Sequence, residues 1–488
     1  MENKLTKGRK LGYCSGIISE SLLYNMFYTY YLVFLTDIVK MSPALAGTVS
    51  FISIIWDAVT DPIIGTFADK NGADKRKFMA RAAFPMGLAF VGAFLNIGSN
   101  SGVVQFIYYT AMAMLFWLAY TVYTIPYYAV VAEITQDYDE RTSIRGTSSL
   151  INTLAILSGN AVPAILPGVF AGMGISISMG WTTTAICMAV FAILFALLAS
   201  FSLRGIRLQK AEAVAEQGEK KKIKDIFVEF ISVFKIKPFK WFMMFIVFFL
   251  IASSMIQTSF VYMIKDCVRP QPNAFSNAVL GAMGDGITIS DIYMFVVILV
   301  LISTMAVFIP IVTTIAEKKD RRTSSLIFMS IMAVGLIICR IIGVHSIPVL
   351  IGITASMAIG MANFWTVFYS MAYDLVEVDE FVTGVRRESV ITAVPQFFQK
   401  FGAAIGVWSV SLMLQACGYN GSLEVQSAKV VSGIENIVTI VPAIVLAISI
   451  FGMVKYPITK KTFTHLKEEL EKKRENKEFD QTGFEKLI

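Results

Sequence analysis

IIWDAVTDPIIG, residues Ile54–Gly65, sets Asp57 and Asp61 inside an apolar run that extends over residues 43–68. A run of that length matches a bilayer, whose hydrocarbon core of about 30 Å takes about 20 helical residues. The two aspartates are four residues apart, so they share one helix face about one turn from each other. Asp57 lies about 3 Å along the axis from the middle of the run. An ionisable group at that depth costs several kcal/mol and marks a pathway or a relay. Two carboxylates so close share a proton or share a cation. Thr60 stands beside them, and a hard cation such as Na+ takes oxygen ligands of this kind.

The rest of the chain agrees with a membrane reading. Of its 488 residues 56% are hydrophobic and 16% charged, which excludes disorder and coiled coil. Eleven further runs of spanning length are read at 11–36, 78–98, 103–132, 146–169, 178–203, 239–264, 288–316, 324–343, 347–373, 389–417 and 432–456. MENKLTKGRK leads into a long first run without a small-residue cleavage site, so the first helix is expected to be retained. Lys and Arg test the count, because cytoplasmic loops carry the excess. With the N-terminus inside, 35 of the 42 fall on the cytoplasmic side, the opposite loops hold Lys40, Lys265, Arg269 and Lys429, and the other three, Arg81, Arg340 and Lys400, lie within the runs. The net charge of +7 thus reports orientation rather than nucleic-acid binding, and both termini are expected inside.

The expected organisation is a six-helix half over 1–203, a basic cytoplasmic linker over 204–238, a second six-helix half over 239–456 and a charged cytoplasmic tail over 457–488, where HLKEELEKKRENKEF suits a short amphipathic or solvated helix with a solvated tail as the default. Two six-helix halves joined by a long loop are typical of the major facilitator architecture, here an all-α membrane protein of twelve transmembrane helices. FADKNGADKRK and IAEKKDRR occupy corresponding places in the two halves. No phosphate-binding GxxxxGK[ST] run is present, nor a hydrolase GxSxG or HExxH. The five cysteines show no CxxC spacing, and Cys267 and Cys417 are close enough to one end of the fold for a disulfide to remain open.

Charge inside apolar helices also appears at Lys400, three turns into its run, which needs a carboxylate partner and has the Asp57–Asp61 pair as the obvious one. YDLVEVDEFVTGVRRES sets Asp374, Glu377, Asp379 and Glu380 before Arg386 and Arg387, a pattern suited to a salt-bridge gate. Glu20, next to Ser21 and one turn before Tyr24 and Asn25, is a candidate substrate or proton group.

At these residues the chain resembles the glycoside-pentoside-hexuronide:cation symporter family of the major facilitator superfamily. The resemblance runs through GYCSG and LTDIV, IWDAVTDPIIG, YTVYTIPYYAVVAEI, DLVEVDEF, GVRRES and Lys400. It implies that Asp57, Thr60, Asp61 and Thr121 occupy cation-site positions and Lys400 that of an internal lysine. Arg141, Asp374, Glu377 and Arg386 match cytoplasmic salt-bridge positions, with Glu377 standing where an aspartate is found in the family. Tyr128 and Trp365 match aromatic positions lining a sugar cavity. Charged residues that hold a galactoside elsewhere in the family are replaced here by Ser21, Thr124 and Ser149. Hydroxyls and the faces of Tyr24, Tyr28, Tyr128 and Trp365 still suit a glycoside, but galactoside specificity does not carry over.

The expectation is a monomeric, multi-pass symporter of a bacterial-type cytoplasmic membrane, with no cofactor beyond a coupling Na+ or H+. Thr60 and Thr121 favour Na+, the carboxyl pair alone serves H+, and both stay open. A non-sugar, lipid-like cargo on the same fold is the first alternative, and a non-transporting sensor or scaffold the second. An embedded enzyme lacks any nucleophile and base arrangement.

Overall fold

The computed structural model describes residues 6–70, 74–135, 138–206, 232–283, 288–385, 387–475, 477–478 and 484. Among them every regular element is helical. The chain forms α1 (Lys7–Cys14), α2 (Gly16–Val33), a π turn (Phe34–Ile38), α3 (Pro43–Lys70), α4 (Lys75–Ala93), α5 (Gly102–Ile134), α6 (Tyr138–Gly172) and α7 (Ile177–Ser202). Beyond the 207–231 stretch, which lies outside the described residues and contains most of the expected linker, come α8 (Lys237–Tyr262), a second π turn (Met263–Val268), α9 (Ala274–Met283) and α10 (Ile289–Lys318). They are followed by α11 (Arg321–Ile342), α12 (Ile347–Thr383), α13 (Glu388–Cys417), α14 (Ala428–Val438), α15 (Ile440–Lys455) and α16 (Lys460–Arg474).

Helix starts carry the expected local chemistry. Ser101 and Ser176 accept backbone N–H groups at the heads of α5 and α7, and Asp320 does the same for α11. Gly384, at φ 73°, ends α12 in the left-handed conformation that glycine adopts without strain. Prolines inside α3, α4, α5, α6, α10 and α13 do not break them. Within a bilayer no water competes for the backbone, and neighbouring helices hold the freed carbonyls.

Among the described residues ten helices are long and apolar enough to cross a membrane. The other two of the twelve expected spans are helical but differ from that pattern. The first is split at Ser15 and closes in a π turn, and α4 carries Lys75, Arg76, Lys77 and Arg81. The fifth span begins earlier than expected, at Tyr138, the tenth runs on to Thr383, and the twelfth is divided at Thr439 into α14 and α15.

The chain forms two compact units. The first is Met1–Gln217 with Ile264–Ile298 and Trp408–Val431. Within it α4 packs on α5 and α7, α3 on α5, and α2 on α6 and α7. Its core is aromatic: Phe27 stacks on Phe116 at 4.8 Å and on Tyr31 at 4.2 Å. The second unit is Gly218–Met263, Leu299–Val407 and Ser432–Ile488. There α15 packs on α8 and α11, and α12 on α11, with Phe249 stacked on Phe364 at 4.5 Å.

Of the two forms open to the tail, the structure has the amphipathic helix rather than the solvated default. A capping box at Thr459 and Thr462 starts α16, which packs on α12. Leu466 and Leu470 are buried, and Arg474 makes a two-pronged hydrogen bond to Glu380 at 2.7 and 2.6 Å. Its charged composition hid one apolar stripe. Cys267 and Cys417 are both free thiols, the former donating to the Val431 carbonyl.

Candidate functional site

The carboxylate pair on α3 is completed by α5. Thr121 is fully buried, and its hydroxyl lies 2.9 Å from Asp57 Oδ1 and 3.1 Å from Asp61 Oδ1, bridging the two acids. Asp57 is 3% exposed, while Asp61 is half-buried. Thr60 is buried in the same turn, its hydroxyl donating to the Asp57 carbonyl at 3.1 Å. Three side-chain oxygens from residues 57, 61 and 121 thus meet at one point. That donor set is all oxygen, carries up to two negative charges and is shielded from bulk water. It suits a proton or a hard monovalent cation.

Glu20, Tyr24 and Tyr28 form a stripe at four-residue spacing on α2, and Tyr120, Thr124 and Tyr128 form another on α5. The stripes face each other: Tyr24 meets Trp117 edge-on at 5.8 Å and Tyr120 at 6.1 Å, and Glu20 hydrogen-bonds Tyr128. Tyr24 and Tyr28 stack at 5.6 Å. Tyr24 and Tyr128 are each 39% exposed. Exposed ring faces beside hydroxyls and a carboxylate are the chemistry of a polyol-binding wall.

Other expected site residues have different settings. Ser21 is buried and donates to Asn152, and Asn25 donates to the Ser21 carbonyl and accepts from Asn160. Both tie α2 to α6. Thr124 is buried at 8% exposure, and Ser149 is exposed on α6. Trp365, 40% exposed on α12, and Lys400, half-buried on α13, belong to the second unit. Asn152, Asn160, Trp117 and Tyr120 were missed by sequence reading, since their significance lies in contacts across helices. So was Arg145, whose guanidinium sits 5.6 Å from the centre of the Tyr128 ring.

The expected gate is rebuilt by the second unit. Asp374 pairs with Arg321. Asp379, fully buried, takes a two-pronged bond from Arg387, with Nε at 2.9 Å, and Arg387 also donates to Ser232 at 2.7 Å. Glu377 has one buried carboxylate oxygen without a hydrogen-bond partner among the described residues. Arg386 and the Arg141 side chain lie outside the described residues. Arg387, the second arginine of the GVRRES run, thus holds Asp379.

Residues 12–460 match the family model described as MFS/sugar transport protein. An uncharacterized symporter of Synechocystis sp. is 26% identical, with 97% of this chain and 98% of the relative aligned. The isoprimeverose transporter of Lactiplantibacillus pentosus is 24% identical over 94% of this chain and 90% of its own. Among solved structures, the nucleoside transporter NupG superposes with a TM-score of 0.62 at 14% identity, covering 93% of this chain and 100% of that one. That likeness is one of fold.

Proposed function

The chain belongs to the MFS/sugar transport family of major facilitator transporters, and from that premise we propose that it is a cation-coupled symporter of a glycoside or similar sugar-like solute. The observation that carries the proposal is the Thr121 bridge between Asp57 and Asp61. A buried acid pair with a neutral oxygen donor is a binding point for Na+ or H+, and it adjoins the exposed aromatic wall of α2 and α5. Cation bound there neutralises the pair and draws α3 to α5, while the solute orders the wall on the same α5. Each ligand thereby favours the state that binds the other, with a coupling free energy equal in both directions. The excess of Lys and Arg in one set of loops supports a reading with both termini on the cytoplasmic side, and alternating access would carry the solute across.

The experiment is uptake into liposomes of labelled glycosides, pentosides and hexuronides under an inward Na+ gradient, an inward H+ gradient or neither. Accumulation of at least one solute under one gradient is expected. No accumulation across the panel, from protein shown to be folded, overturns the sugar reading and points to a non-sugar cargo. Thr121→Val keeps the side-chain shape and removes the bridging hydroxyl. A hydrogen bond to a charged group is worth about 1.5–3 kcal/mol, so cation binding should weaken by about ten- to a hundredfold, read as the cation concentration giving half-maximal uptake.

A further inference from the structure

At the end of α2 opposite the N-terminus, charges cluster that play no part in the cation site. Asp37, 8% exposed in the first π turn, accepts from Lys265 Nζ at 2.5 Å and from the Tyr419 hydroxyl at 2.9 and 3.1 Å. Lys40, two residues past that turn, donates to the Gly421 carbonyl at 2.6 Å. Gly421 sits so close that a Cβ there would come within 2.5 Å of the Thr36 carbonyl and 2.7 Å of Asp37 Oδ1. All of these residues lie within the first unit.

The contact continues along α3. A Cβ on Gly47 would fall 1.6 Å from Ser411 Oγ, so only glycine permits this approach, and Ser411 is fully buried. Trp408 donates its indole N–H to Thr48 at 3.3 Å and its ring lies 5.2 Å from that of Phe51. Residues 36–51 are thus fastened to 265 and to 408–421 by an ion pair with a buried carboxylate and a half-buried lysine at one end and close small-residue packing at the other.

We propose that Asp37, Lys265 and Tyr419 form a lock on the outer end of the transporter, which must break before the seam between residues 47–51 and 408–411 can part. The inference rests on the alternating-access reading and adds to it the residues that hold one end shut. A second buried acid, Asp266, stands beside the lock. It is 1% exposed, neither of its carboxylate oxygens has a hydrogen-bond partner among the described residues, and the charges acting on it are Lys265, Asp37 and Arg269. Lys265 therefore serves two buried acids, and losing its ammonium sets Asp37 and Asp266 against each other.

The test uses full-length protein in lipid nanodiscs carrying Ser411→Cys, with modification of that cysteine by a bulky polyethylene-glycol maleimide followed by peptide mass spectrometry. Breaking a buried pair shifts the population toward the parted state, so Lys265→Met should raise the labelling rate at least about tenfold and Asp37→Asn by a smaller factor, since Lys265 keeps Asp266. Tyr419→Phe, which removes one hydroxyl and perturbs folding least, should raise it about threefold. The exchanged pair Asp37→Lys with Lys265→Asp should label more slowly than Lys265→Met. Parent-like rates in monodisperse Asp37→Asn and Tyr419→Phe overturn the lock. Labelling needs no solute, so failed uptake with accelerated labelling counts against the symport reading and leaves the lock standing.

Discussion

Asp61→Asn is expected to abolish gradient-driven accumulation while leaving the protein folded and able to let solute equilibrate. Asparagine keeps an oxygen for the Thr121 hydroxyl, which reaches Asp61 Oδ1 at 3.1 Å, so the α3–α5 packing survives. What is lost is one of two negative charges. At the effective dielectric of a partly buried site a charge about 4 Å away contributes up to about 4 kcal/mol. Even half of that weakens a cation's hold by more than about tenfold. For a proton the consequence is sharper, because the remaining acid no longer has a partner with which to share it. Asp61 is the better target than Asp57, which is 3% exposed and central to the packing of α3. Uptake in liposomes under the active gradient, beside solute equilibration without one, is the measurement. Accumulation at the parent level in the variant would remove Asp61 from the coupling site.

Arg387→Met should destabilise the second unit more than any change at the exposed loops. Asp379 is fully buried, and Arg387, its partner on both oxygens, is 19% exposed at the side chain. Removing the guanidinium strands a buried carboxylate and also removes the bond from Arg387 to the Ser232 hydroxyl. Breaking a buried pair from one side costs about 3–5 kcal/mol. At about 2 °C per kcal/mol for a unit of this size, the thermal midpoint in detergent should fall by about 5–10 °C. The double change Arg387→Met with Asp379→Leu should recover most of the loss, because neither charge is then left unpaired. Arg474→Gln supplies the contrast. Its pair with Glu380 is solvated, with the arginine 43% exposed, and such a pair is worth under about 1 kcal/mol. Equal losses from Arg387→Met and Arg474→Gln would show that Asp379 is not held by Arg387.

The membrane fold was legible because both of its signals are one-dimensional. Helix-length apolar runs and the sidedness of Lys and Arg are properties of the chain order, and they survive without any contact information. The Asp57–Asp61 pair was legible for the same reason, since four-residue spacing within one helix already dictates a shared face. For the tail a short helix was legible but its docking was not, because fifteen residues rich in Lys and Glu give little hydropathy signal, although Leu466 and Leu470 are enough to dock α16.

Apart from Thr121, which the resemblance already set at the cation site, what depends on two helices meeting was decided only in the folded protein. Thr121 is 60 residues from Asp61, Lys265 is 228 from Asp37, and Tyr419 is 382 from it. Nothing along the chain correlates such positions. Asp37 and Lys265 read individually as ordinary charges near a membrane surface, and Asp379 and Arg387 as a loop pattern. Only close packing turns them into a buried pair, because removing water makes the partner of each charge decisive. The sequence alone determined the helices and the residues that share a helix face, and the tertiary structure decided which charges are paired and where two segments meet.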